Sequence, residues 1–136
     1  MNTTIQTEAV HHLTLTVTDL ARALEFYTAI LGFQKAMDLS PTRVLLANGK
    51  TILALTEAPD PTQAIVNDRF NENRVGLDHV SFNVSNHNKL EEAIRHFDKQ
   101  GIPHGEIEDL GPALGIYVLA FRDPDNIQLE LTAPHG

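Results

Sequence analysis

Two short segments of the chain begin with a histidine and then alternate apolar and polar residues in the same order. They are HLTLTVTDL, which begins at His12, and HVSFNVSNH, which begins at His79. Side chains of a β-strand alternate between its two faces, so each histidine begins the polar face of a predicted strand. A third segment, IQLELT over residues 127–132, puts Glu130 on such a face. Two imidazoles and a carboxylate suit a borderline divalent metal.

Each of these three residues, taken alone, is more often an ordinary surface residue than a ligand. The metal interpretation depends on their combination, because the two histidines open equivalent strands and a carboxylate lies on a third. The chain has no cysteine. Disulfides, thiolate metal sites and a cysteine nucleophile are therefore excluded, and a metal site has to be built from histidines and carboxylates.

The bulk composition limits the classes of partner. The formal net charge is -8 and the pI is about 5.2, so nucleic acid and anionic membranes would be repelled by the average surface. The sequence has no apolar run long enough to span a membrane and begins without a secretory signal pattern, which predicts a cytoplasmic protein. With 42% hydrophobic and 21% charged residues the composition is that of a globular protein.

The chain is predicted to consist of two similar halves. Each histidine segment is followed by a helical pattern that begins at polar capping residues, Thr18 or Asp19 and Ser85 or Asn86, and the helices are expected to stop at Gly32 and Gly101. Three strands are predicted after each helix, at residues 35–39, 43–47 and 51–56 in the first half and 105–110, 116–121 and 127–132 in the second. Each half is then strand, helix and three strands.

The boundary between the halves is predicted in the segment rich in Pro, Asp and Asn that follows the fourth strand. We expect module one at 8–57, a linker at 58–76 with one short helix near 63–67, and module two at 77–134, all within a single domain 1–136. Such a repeat has a purely architectural interpretation too, because half-size units gain stability by pairing.

The sequence resembles the vicinal oxygen chelate superfamily, which contains glyoxalases, bleomycin resistance proteins and extradiol dioxygenases. The resemblance is carried by VHHLTLTVTDLARALEFYTAILGF, GLDHVSFNV and FRDPDNIQLELTAP, and it extends from Val10 to Pro134. It implies an α+β fold in which two tandem βαβββ modules form a curled mixed-sheet cleft around a metal.

The resemblance also implies a ligand set. The histidine of the first strand falls on His12 rather than His11, that of the fifth strand on His79, and the terminal-strand glutamate on Glu130. One divalent ion per site is expected, which is Zn, Mn, Fe, Ni or Co, because all of these accept two histidines and a carboxylate. Glyoxalase I is similar but has a further carboxylate on the fourth strand, and this position falls on Ala54.

The cleft walls are expected to contact the substrate through Thr14, Ser81, Val118 and Ala120. A general base is not identified by the sequence: Glu57, Glu106, Glu108 and His104 are candidates, and Glu130 is a possible ligand and base. Extradiol dioxygenases and fosfomycin-resistance enzymes typically have a tyrosine where this chain has Ala120. Neither of these specialised activities is therefore favoured.

Two functions from different classes remain open at this stage. The first is a metal-dependent isomerase, lyase or dioxygenase that acts on a small substrate with vicinal oxygens through an enolate or oxyanion. The second is a small-molecule or antibiotic-binding protein, similar to bleomycin resistance proteins, that sequesters its ligand. A scaffold whose repeat is only architectural would bind no metal. The partners expected are a small-molecule substrate and a second copy of the chain in a homodimer, with no nucleic acid and no membrane.

Overall fold

The computed structural model describes residues 4–136. They form two compact units: the first ends at Ile65, and the second comprises Val66–Gly136. This division lies inside the segment 58–76. Each unit is described by itself.

The first unit contains one helix and a four-stranded mixed sheet. Its elements are β1 (Leu13–Thr16), α1 (Leu20–Ala29), β2 (Gln34–Ser40), β3 (Arg43–Ala47) and β4 (Ile52–Thr56), followed by a 3-10 turn at Pro61–Gln63. The strand order is β1-β4-β3-β2. β1 is parallel to β4, and the other neighbours are antiparallel.

The second unit repeats this arrangement. Its elements are β5 (Val80–Asn83), α2 (His87–Gln100), β6 (Glu108–Asp109), β7 (Ile116–Arg122) and β8 (Gln128–Pro134). The strand order is β5-β8-β7-β6, with β5 parallel to β8 and the remaining pairs antiparallel. The predicted α+β fold of two βαβββ modules is thereby confirmed. No helix within the described range is both long and apolar enough to cross a bilayer.

Each helix begins at one of its two predicted caps. The side chain of Asp19 accepts a hydrogen bond from the amide of Arg22, and that of Asn86 accepts one from the amide of Lys89. Both satisfy an amide that has no partner within its own helix. α2 ends at Gly101, which has the left-handed φ of 70°. α1 ends at Ala29, before the predicted stop at Gly32.

Each helix packs its apolar face on its own sheet. Tyr27 of α1 is fully buried, as are Leu46 and Leu53 of the first sheet. In the second unit Phe97 of α2 stacks on Phe121 of β7, with ring centroids 4.6 Å apart. The helix-facing side of each sheet is therefore apolar core, and the opposite side is left for polar residues.

Two predicted elements differ from the structure. The strand predicted at 105–110 is reduced to Glu108–Asp109, with an isolated bridge between His104 and Phe121. It is an edge strand that pairs on one side only, so local irregularity costs few hydrogen bonds. The helix predicted at 63–67 is a 3-10 turn at Pro61–Gln63 instead, because Asp60 caps the chain there and Asn67 adopts a left-handed φ of 54°.

Candidate metal centre

The polar face of the second sheet is built around Glu130. In the strand register, Glu130 of β8 lies between Ser81 of β5 and Ala120 of β7. Residues paired in this way share one face of the sheet. Leu129 and Leu131, its neighbours along the strand, are buried on the helix side. The alternation of apolar and polar residues in the sequence therefore predicted the correct face for Glu130.

His79 lies immediately before β5 and contacts Glu130. Its Nε2 is 3.4 Å from Oε1 of Glu130, and the two side chains are 38% and 19% exposed. On one tetrahedral metal, a nitrogen ligand atom and an oxygen ligand atom that each lie about 2.1 Å from the ion are about 3.4 Å apart. A good direct hydrogen bond between them would be shorter, at about 2.7–2.9 Å for a charge-assisted pair. The pair therefore fits two positions of one coordination shell.

Asp78 fixes the other side of the His79 ring. Its Oδ1 is 2.8 Å from Nδ1 of His79, and the side-chain amide of Gln128 donates to the same oxygen at 3.0 Å. Sequence reasoning missed both residues. The available signal was an acidic residue directly before the histidine, and a glutamine two positions before Glu130 on the same strand face.

His12 belongs to the first unit, where it lies just before β1. Its Nδ1 is 2.8 Å from Nδ1 of His11, and both residues are exposed. Thr14, two residues further on, is the register partner of Ala54. Ala54 therefore occupies the position in the first sheet that Glu130 occupies in the second. Within residues 4–136, three or more histidine and carboxylate side chains are nowhere gathered as a ready-made metal site.

The expected substrate contacts differ in accessibility. Thr14 and Ser81 are exposed, and Ala120 is partly exposed. The Ser81 hydroxyl lies 2.5 Å from that of Thr132. Val118 pairs with Thr132 on the Glu130 face but is only 7% exposed. Ser81 and Ala120 flank Glu130 directly, whereas Val118 lies two residues before Ala120 on the same face of β7.

The structure separates the four candidate bases. Oε2 of Glu57 accepts from the amide of Leu20 at 3.0 Å, so this carboxylate caps α1. Glu106 is exposed and outside any strand. Glu108 pairs with Val118 across β6 and β7, so it lies on the same face as Glu130.

His104 is held by two acceptors. Its Nε2 is 2.6 Å from Asp98 Oδ1 and its Nδ1 is 2.6 Å from the carbonyl oxygen of Gly105. Only the imidazolium donates from both nitrogens at once. The hydrogen bond with Asp98, followed by that with Gly105, accordingly raises the pKa of His104. These contacts indicate that His104 has a structural role, in which it joins α2 to the edge of the sheet.

An ion pair ties the segment before β5 to the end of β7. Arg122 donates from both terminal nitrogens to Glu72, at 3.0 Å and 2.8 Å. Mainly through these hydrogen bonds, Arg122 lowers the pKa of Glu72 from 4.5 to about 2. Arg122 also donates to the carbonyl of Asn126 at 3.1 Å and lies 3.5 Å from Oε1 of Gln128. The guanidinium therefore connects this segment with the residues around Asp78.

Comparison with known proteins identifies the family. Residues 9–131 match the Glyoxalase/Bleomycin resistance protein/Dioxygenase superfamily. A glyoxylase/bleomycin resistance protein/dioxygenase domain from Frankia sp. EAN1pec has a similar structure, with a TM-score of 0.80 and 31% identity over 95% of this chain and 93% of that one. The lactoylglutathione lyase of Agrobacterium tumefaciens shares the fold, with a TM-score of 0.72 and 23% identity over 94% of this chain and 95% of that one.

Among curated proteins, the uncharacterized protein YqjT of Bacillus subtilis (strain 168) is 23% identical over 130 residues, which is 92% of this chain and 98% of that protein. Members of the matched superfamily generally bind a divalent metal and often act on small molecules. The family match covers nearly all of the chain, and the fold is that of the similar structures. This protein is therefore a member of the glyoxalase/bleomycin resistance protein/dioxygenase superfamily.

Proposed function

We propose that this protein is a divalent-metal-dependent enzyme that acts on a small substrate with two adjacent oxygens, with His12, His79 and Glu130 as the metal ligands. The observation that supports this most directly is the 3.4 Å separation of His79 Nε2 and Glu130 Oε1. His12 completes the set because it opens β1 as His79 opens β5. Bound there, the ion would supply Lewis acidity to the two substrate oxygens.

The chain's own residues define the rest of the proposed site. Ser81 and Ala120 flank Glu130 in the sheet, so a substrate held there would contact one hydroxyl and one small apolar side chain. Thr14 is the corresponding residue of the first sheet. Val118 gives the wall an apolar component. These surroundings favour a substrate that is partly hydrophobic.

Glu108 is the general base that we propose. It shares the face of Glu130, is exposed, and belongs to the same sheet. Glu57 and His104 are less suitable, because the first caps α1 and the second is held between Asp98 and Gly105. Proton transfer to a positioned carboxylate is worth about 10²–10⁴ in rate.

The alternative is a binding protein that sequesters a small molecule. It is favoured by Ala54, because the fourth strand offers an apolar residue where glyoxalase I has a carboxylate. The two functions are distinguished by turnover. We expect turnover of at least one compound with adjacent oxygens in a screen that includes methylglyoxal hemithioacetal, catechols and fosfomycin. We also expect a Glu108→Gln variant to keep its metal but to lose at least tenfold in kcat. Tight binding of a test compound without conversion of any would support the binding protein instead.

Metal analysis of the purified protein tests the ligand set. We expect one equivalent of divalent metal per chain, and a loss of more than 100-fold in Zn²⁺ affinity in His79→Ala and in Glu130→Ala. His96→Ala and Glu106→Ala are matched controls, because they remove the same groups from exposed positions outside the proposed site. Equal zinc affinity in all four variants would contradict the proposal.

We further propose that the protein is a cytoplasmic homodimer with two metal sites. If His12 of one chain meets His79 and Glu130 of the other, a 1:1 mixture of His12→Ala and His79→Ala chains regains about a quarter of the wild-type sites through mixed dimers. If each site is built within one chain, the mixture regains none. Sedimentation of the unmodified protein gives the oligomeric state on which both outcomes depend.

A further inference from the structure

We propose that Asp78 is a positioning residue that holds His79 in the tautomer protonated on Nδ1, so that the lone pair of Nε2 is directed toward Glu130. The inference concerns the free protein, and its consequence for metal affinity rests on the function proposed above. Gln128 holds Asp78 in place, and Arg122 fixes the side-chain amide of Gln128.

The chemistry of the two groups decides the direction of the hydrogen bond. Asp78 and Glu130 are both carboxylates that only accept when ionised, so distance decides which nitrogen of His79 carries the proton. The 2.8 Å contact of Nδ1 with Asp78 has the length of a charge-assisted hydrogen bond, whereas the 3.4 Å between Nε2 and Glu130 is too long for one. Nδ1 is therefore the donor. A neutral imidazole has one proton, and Nε2 is then left with its lone pair. This nitrogen is the one that lies 3.4 Å from Glu130. Metal-binding histidines commonly donate their second nitrogen to a carboxylate in this way.

Asp78 would orient the ring weakly if it were free to move. Its side chain is 66% exposed, and an exposed ion pair or hydrogen bond contributes little because the side chains lose entropy on pairing. The side-chain amide of Gln128 restrains it from β8: Nε2 donates to Oδ1 of Asp78 at 3.0 Å and to its backbone carbonyl at 3.2 Å. The aspartate is thus held at both its side chain and its main chain.

The neighbours of Gln128 select one of its two amide orientations. Its Nε2 faces two oxygen atoms of Asp78, and its Oε1 faces Nη2 of Arg122 at 3.5 Å. Turning the amide over would set a donor against a guanidinium and an acceptor against a carboxylate. Arg122 is itself anchored by Glu72 and by the carbonyl of Asn126. A continuous series of contacts therefore runs from Glu72 to the His79 ring.

The first unit has no such arrangement at the equivalent positions. The register of β1 with β4 and of β3 with β4 shows which residues of the first unit correspond to those of the second. His11 corresponds to Asp78, and Ile52 corresponds to Gln128. An imidazole either donates or accepts, so the contact between His11 and His12 does not select a tautomer. The positioning device belongs to the second unit.

The tautomer of His79 in the metal-free protein tests the proposal directly. Ring ¹⁵N chemical shifts of the metal-free protein, assigned by comparison with His79→Ala, are measured at alkaline pH. We expect the Nδ1–H form to predominate in the unmodified protein. A predominant Nε2–H form would overturn the proposal. This measurement needs no metal, and its only variant, His79→Ala, serves to assign the signals.

Variants then separate positioning from a merely structural role. In Asp78→Asn, whose amide offers a donor as well as an acceptor, and in Gln128→Leu, we expect a larger Nε2–H population and a 10–100-fold loss of Zn²⁺ affinity. Asp109→Asn is the matched control, since Asp109 Oδ1 contacts Nε2 of His135 at 2.8 Å elsewhere in the same unit. An unchanged tautomer and zinc affinity within twofold in both variants would refute the role of Asp78.

The failure of this inference can be told apart from failure of the proposed function. If the unmodified protein binds no divalent metal but His79 is protonated on Nδ1 and loses this preference in Asp78→Asn, the positioning inference stands and the metal-dependent function fails. If the unmodified protein binds metal but His79 of the metal-free protein is protonated on Nε2, the metal-dependent function stands and the positioning inference fails.

Discussion

The two units of this protein have one topology and different polar chemistry. The register of β1 with β4 repeats in β5 with β8, so Thr14 and Ala54 correspond to Ser81 and Glu130. Even the contact beyond each first strand is repeated: the amide of Val17 donates to the carbonyl of Thr56, and that of Val84 to the carbonyl of Thr132. The scaffold has thus been retained in both halves.

The differences lie on the polar side of each sheet. In the first unit, alanine, histidine and isoleucine occupy the positions at which the second unit has the acidic and amide residues around His79, which are Glu130, Asp78 and Gln128. A helix-facing core tolerates only apolar residues, which preserves the similarity there. The opposite face carries the differences, and only the second unit surrounds its histidine with groups that fix it.

The largest expected change in stability comes from placing a carboxylate in the first unit, at the position that corresponds to Glu130. Ala54 is 4% exposed, so Ala54→Glu would bury an acidic group without the histidine contact that Glu130 has. We expect a loss of about 1–3 kcal/mol in unfolding free energy without metal. Denaturant unfolding measures it, with Ala36→Glu on the exposed strand β2 as control. Equal stability of the two variants would contradict the difference between the sheets.

Removing the ion pair of the second unit should have a smaller effect that depends on pH. The folded pKa of Glu72 is lowered to about 2, so the pair stabilises the protein above pH 4.5 and this contribution is lost as pH falls toward 2. Glu72→Gln should therefore be less stable than the unmodified protein near neutral pH and converge with it in acid.

Hydrogen exchange locates the effect of this change. We expect faster exchange at the amide of Phe70, which donates to Asp125, and no change in β3 and β4 of the first unit, where Ala47 takes the place of Arg122. Equal acceleration of hydrogen exchange in both units of Glu72→Gln would contradict an effect confined to the second unit.

The smallest expected effect concerns His104 and Asp98, and it has the opposite pH dependence. The pKa of His104 is raised, so its contribution is present below the ordinary histidine value and disappears as pH rises through the raised one. Asp98→Asn should be less stable than the unmodified protein at about pH 5.5 and equal to it in alkali. Thermal unfolding across this pH range measures the difference in stability between the two proteins. A difference that increases with pH would contradict the prediction.

Much of this architecture was predictable because it is encoded locally. Alternation of apolar and polar residues identified the long strands. The capping pairs, Thr18 or Asp19 and Ser85 or Asn86, placed the starts of both helices to within one residue. The edge strand at 105–110 was predicted poorly, because Gly105 and the one-sided pairing leave its conformation to the neighbouring strand. The pairs between Arg122 and Glu72 and between Gln128 and Asp78 were missed, since each joins residues 50 positions apart.

The sequence by itself determined the duplicated fold and the face of the sheet on which Glu130 lies, because both follow from periodicities within a few residues. The tertiary structure alone decided which charged groups meet. Strand register places Glu108 on the face of Glu130, whereas Glu57 caps a helix and His104 joins Asp98. All three are polar residues of similar local pattern, and only the pairing of distant strands and helices distinguishes their roles.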